Sequence, residues 1–126
     1  MYGLVLQDWV TVSGSTTAML VQDESDWLDM TPFQDLTAWI QVNEATNAPS
    51  LYLETAPSKD DVLFVSMSAG GFPLSTPGVQ VGQLQLGLAA VPLAQFLRWR
   101  IAPVVSGWDV TFRILLAANA PGMATS

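Results

Sequence analysis

The chain has 126 residues, half of them apolar and 12% charged, with a net charge of −7 and neither Cys nor His. That is the size of one domain able to bury a core without covalent staples. The missing residue types exclude disulfides, Cys- or His-ligated metals, a thiol nucleophile and every His-based catalytic arrangement, and four bases against eleven acids leave no phosphate-binding stripe for a nucleic acid.

Residues 1–10 are mildly apolar, but they lack a basic segment and are interrupted by Asp8, so they do not read as a signal peptide. No run of ~18 apolar residues spans a membrane. The expectation is a soluble protein made in the cytoplasm and indifferent to redox state. The hydrophobic period is two throughout. Residues 4–12 and 16–22 read as strands joined at Ser13-Gly14-Ser15, and residues 27–30 as a short further strand. In residues 36–43 the alternation is clearest: Leu36, Ala38, Ile40 and Val42 face one way, and Thr37, Trp39, Gln41 and Asn43 the other. Residues 51–55 follow the turn Asn47-Ala48-Pro49-Ser50. Residues 57–61 form a polar turn, 62–69 a strand, and 79–86 a weaker strand between long loops rich in Gly and Pro.

Residues 96–101 and 108–116 close the series and read as a hairpin. An antiparallel register pairs Trp99 with Val110 and Leu97 with Phe112 on one face. It also sets Arg100 opposite Asp109 and Phe96 opposite Arg113 on the other, giving an ion pair and a cation–π contact. Residues 117–126 read as a small, polar, mobile tail. The sum is one all-β domain over residues 1–126. It is expected to be an antiparallel β-sandwich of about eight strands with jelly-roll topology, an immunoglobulin-like sandwich being the alternative.

The candidate sites are few. Asp23, Glu24, Asp26 and Asp29, with Asp35 nearby, lie at a density that could hold calcium, but they lack the calcium-loop spacing and read as a solvated turn that keeps an apolar chain soluble. Asp60 and Asp61 are neighbours and cannot flank a bond as a glycosidase pair does; they read as turn chemistry. Arg98, Arg100 and Arg113 share one face in the predicted hairpin and suit an acidic partner surface, or are neutralised within the sheet. Trp99 and Trp108 fall on the core face. Trp39 falls on the polar face, where it suits a stacked ligand or a neighbouring subunit. No charged residue occurs from Val62 through Leu97, 36 residues in all, although much of this stretch reads as loop. Surface loops are normally polar, and a large exposed apolar patch marks a binding surface. Phe72, Leu74, Leu86, Leu88 and Val91 are therefore the expected self-association residues, the alternative being that these loops fold back over the sandwich.

The segments Trp27-Leu28-Asp29, Leu51-Tyr52-Leu53-Glu54-Thr55-Ala56-Pro57, Pro92-Leu93-Ala94-Gln95-Phe96-Leu97-Arg98-Trp99-Arg100 and Trp108-Asp109-Val110-Thr111-Phe112-Arg113-Ile114 carry a resemblance. The series resembles small β-sandwich structural proteins of tailed bacteriophages and is similar in character to capsid decoration, or cement, proteins. That resemblance implies a non-enzymatic virion protein on the capsid surface. Such a protein is made in the host cytoplasm, assembles as a homotrimer and reinforces contacts between subunits of the major capsid protein, with no cofactor, nucleic acid or membrane. The competing expectation is a carbohydrate-binding module using Trp39. A hydrolase or lyase built on Asp and Glu alone has no spaced acid pair to support it.

Overall fold

The computed structural model describes residues 2–14, 19–31, 33–47, 49–68, 70–84, 91–102 and 107–119. Two antiparallel sheets pack face to face, and no α-helix occurs among the described residues. The first sheet contains β1 (Tyr2–Gly14), β4 (Asp35–Thr46), β8 (Gly78–Leu84) and β10 (Trp108–Asn119), in the order β1-β10-β4-β8. The second is built on the central pair β5 (Ser50–Ala56) and β9 (Phe96–Ile101). Its margins are two-residue strands: β2 (Leu20–Val21) and β3 (Leu28–Asp29) beside β9, and β6 (Val65–Ser66) and β7 (Phe72–Pro73) beside β5.

The alternation read from the sequence decides which residues meet. In β10, Trp108, Val110, Phe112, Ile114, Leu116 and Ala118 all turn inward, as do Leu36, Ala38, Ile40 and Val42 in β4. They pack against Leu51, Leu53, Leu97, Trp99 and Ile101 of the second sheet. The Trp99 and Phe112 rings meet edge to face at the centre, 5.2 Å between centroids. That is the favoured geometry for aromatic quadrupoles.

Four expectations are corrected. The hairpin of residues 96–101 and 108–116 does not form, because β9 and β10 lie in opposite sheets. Their apolar faces meet across the core instead of side by side. Trp99 stands opposite Leu53 and Arg100 opposite Tyr52, while Val110 stands opposite Val12 and Ala45. Period-two patterning identifies the faces but not whether two faces belong to one sheet or to two facing sheets. Residues 62–69 do not form a continuous strand. The Asp60 carboxylate accepts the Val62 N–H at 3.3 Å and caps a 3₁₀ turn, Asp61–Leu63, which leaves the two-residue strand β6 after it. Residues 117–119 are not tail: Ala117, Ala118 and Asn119 extend β10 opposite Thr37, Leu36 and Asp35, and the Asn119 amide donates to Asp35 at 3.1 Å.

The fourth correction concerns the apolar loops. Leu74 has no exposed surface and belongs to the core, so it lines no self-association surface. Phe72 also packs against the core. Its ring covers Gly82 of β8 so closely that a Cβ there would lie 2.5 Å from it. Val91 is half-buried, with its N–H aimed at the Met67 carbonyl at 3.5 Å. Leu86 and Leu88 lie outside the described residues.

The central contact gives a stability prediction. Phe112→Ala is expected to lower the unfolding free energy by about 3–5 kcal/mol, since the sheets cannot close over the space left by the ring. Urea denaturation followed by tryptophan fluorescence measures it.

Candidate functional site

The two outer sheet faces are treated differently. On the second sheet, β9 and β5 place Arg98, Arg100, Glu54 and Tyr52 outward. Two 3₁₀ turns fold over them: Glu24–Asp26, capped by the Asp23 carboxylate on the Ser25 N–H, and Asp61–Leu63. The turns bring Trp27 and Phe64 down on Arg98, whose guanidinium lies 4.9 Å from the first ring and 4.0 Å from the second. Trp27 is fixed by its indole N–H, which donates to the Gln22 carbonyl at 2.8 Å. Arg98 and Glu54 are therefore buried, at 4% and 5% exposure. Arg98 meets Glu54 at 3.0 Å and also bonds Asp61, while Arg100 donates to the other Glu54 oxygen at 2.8 Å and stacks on Tyr52. A desolvated cation is held this way only when partners surround it. Arg98 is thus satisfied inside the chain and does not reach an acidic partner.

Arg113 is separated from that pair. It lies on β10, in the other sheet, so the three arginines do not share a face. Its Nε donates to the Gln41 side chain at 2.6 Å and its guanidinium lies 4.9 Å from the Trp9 ring. Among the described residues it forms no ion pair.

Among the described residues nothing folds over the outer face of the first sheet, and an apolar row crosses it. The registers align Val5 with Leu115, Leu115 with Trp39, and Trp39 with Val81, one residue from each of the four strands. Val5 and Val81 are each 54% exposed and Trp39 36% exposed. A second row runs through Arg113, Gln41 and exposed Val79, with Trp9 over Arg113. Trp39 is therefore where its alternation places it, inside an aliphatic row flanked by the row of Gln41 and Arg113. The row itself escaped the sequence reading. Its signal was present in Ile114-Leu115-Leu116, where both faces of one strand are apolar, and in Val79 and Val81 of a strand whose inner positions are Gln80 and Gly82.

Other candidates offer less. Among the described residues no three carboxylates converge to hold a metal ion, and no buried side-chain polar atom lacks a partner. Asp29 is exposed, and its carboxyl is held below the usual carboxylate range by the Thr31 backbone N–H, 3.0 Å away, and then by the Thr31 hydroxyl. A cleft of about 500 Å³ opens between the bulged middle of β1 and the turn Glu24–Asp26, lined by Gln7, Asp8, Ser25, Asp26 and Trp27. The Asp8 carboxylate there accepts the Trp9 N–H at 2.8 Å. No protein-family model matches the chain, and a comparison with curated proteins finds no match.

The arginine cluster separates a structural role from a binding role. Arg98→Met leaves Glu54 buried with one partner fewer and is expected to cost about 3–5 kcal/mol in urea unfolding. Arg98→Met with Glu54→Leu and Arg100→Met is expected to recover most of that loss, because no buried charge is then left unpaired.

Proposed function

We propose that the protein is a non-enzymatic structural subunit of a viral particle, of the capsid-decoration kind, that adheres to a neighbouring virion protein through the outer face of its first sheet. The observation that carries this reading is the uncovered row Val5, Leu115, Trp39 and Val81, which crosses all four strands without a charge. Contiguous exposed apolar surface of this kind marks protein contacts. Tryptophan and arginine beside it, as in Trp39, Trp9 and Arg113, are the residue types that dominate interface energetics.

Strand order adds support at the level of the fold. With each split margin taken as one strand, β2 with β3 and β6 with β7, the described residues form eight strands in two sheets of four, ordered 1-8-3-6 and 2-7-4-5. We read that order as a jelly roll, an arrangement common in capsid and lectin domains. Fold alone assigns neither role. The aliphatic row favours a protein partner over a sugar, because saccharides stack on aromatic platforms ringed by polar groups and gain little from exposed valines.

The test is a selection of random displayed peptides on the immobilised protein, run beside a glycan panel read by tryptophan fluorescence. The expected peptides combine aliphatic residues with a carboxylate that meets Arg113. Their binding is expected to fall at least tenfold on Trp39→Ser or Arg113→Gln, about 1.4 kcal/mol or more. Peptides indifferent to both changes, or glycans that quench the fluorescence while no peptide is enriched, would overturn the reading.

A further inference from the structure

We infer that two copies of the chain pair edge to edge along β8, antiparallel and about a two-fold axis, to form one continuous eight-stranded sheet. This rests on the reading of the chain as an assembly subunit and names the first contact in that assembly. Among the described residues β8 has one strand partner, β4, and its far edge has none. It is seven residues long, about 23 Å, and its register with β4 runs unbroken from Leu84 opposite Leu36 to Gly78 opposite Val42. Such an edge presents alternate unpaired N–H and C=O groups to any strand that reaches it.

Every other sheet margin is blunted. β1 carries Asp8 and two register shifts, between Val5 and Gln7 and between Gln7 and Val10. The margins of the second sheet are cut into two-residue pieces. β8 has none of these devices: no charge, no proline and no bulge. It is also held firmly, since the Phe72 ring packs on Gly82 and the Gln80 amide bonds the Pro73 carbonyl.

Charge selects the occupant. A chain of net charge −7 repels a copy of itself wherever carboxylates meet, as they do at Asp8, around Asp23 to Asp29, and at Asp60 and Asp61. The β8 edge lies in the charge-free stretch from Val62 through Leu97, so a second copy approaches there without bringing like charges together. A charged partner strand finds nothing to pair with. The contact is isologous, giving a dimer where the resemblance to decoration proteins implies a trimer. It also sets two Val81-to-Val5 rows side by side, doubling the face offered to the virion partner.

The absence of cysteine makes the test clean. A two-fold axis perpendicular to the sheet keeps outward residues opposite outward residues, so one residue of β8 lies opposite its own copy. Single cysteines at Val79, Gln80 and Val81 are oxidised and compared with Val5→Cys on the far side of the same face. Light scattering measures the mass of the unmodified protein and of Val81→Lys. The expected results are twice the 13.5 kDa chain mass, disulfide-linked dimers from one β8 position in large excess over Val5→Cys, and a folded monomer for Val81→Lys. A monomeric wild type, or cross-links from Val5→Cys as strong as from any β8 position, overturns edge pairing. Peptide binding that still depends on Trp39 and Arg113 would then leave the assembly reading standing.

Discussion

A two-layer sandwich has four sheet faces and one interior, and how this chain treats the two remaining faces governs everything else. The inner faces are closed by Phe112, Ile114, Trp99 and their neighbours, with the Trp99–Phe112 contact at the centre. The outer face of the second sheet is roofed by two short turns that bury Arg98 between Trp27 and Phe64. Among the described residues the outer face of the first sheet has no roof. The same chain therefore spends two aromatic rings, a glutamate and an aspartate on sealing one face, and leaves valines and a tryptophan bare on the other.

The arginines show how position within the sandwich changes what one residue type does. Arg98 and Arg100 hold the roof to the sheet through Glu54, and their charge is consumed inside the molecule. Arg113 is stacked on Trp9 and braced by Gln41, which orders its side chain without neutralising it. A guanidinium ordered in advance loses little freedom when it meets a carboxylate. A cation with no ion pair among the described residues, in so acidic a chain, gives its face a polarity of its own.

Much of this was legible in the sequence because a period of two identifies inward residues directly. The alternation of Leu36, Ala38, Ile40 and Val42 against Trp39 and Gln41 is the pattern observed. The faces of residues 96–101 and 108–116 were also identifiable, but the sheet to which each belongs was not. Aligned apolar faces satisfy a hairpin and a facing pair equally well, and the short turn between the two strands favoured the hairpin. The roof over Arg98 was hidden for another reason. Trp27 and Phe64 are 37 positions apart in the sequence and reach Arg98 from two separate turns, so no spacing signals their contact. Leu74 was misplaced because a loop is ordinarily a surface segment, whereas this one runs past the open margin of the sandwich and drops its leucine into the core.

The placement of β10 between β1 and β4 has a kinetic meaning. Tyr2 stands opposite Ala118 and Asp35 opposite Asn119, so a strand at the centre of the first sheet is the last of the described strands in sequence. During synthesis β1 and β4 emerge long before the strand that joins them, and neither has its central neighbour until β10 leaves the ribosome. Contacts this distant in sequence make folding slow, of the order of milliseconds to seconds for all-β domains. Through that interval Trp39, Val5 and the strand edges beside them are open to neighbouring chains. Acidic repulsion between nascent copies is the protection available before the fold closes.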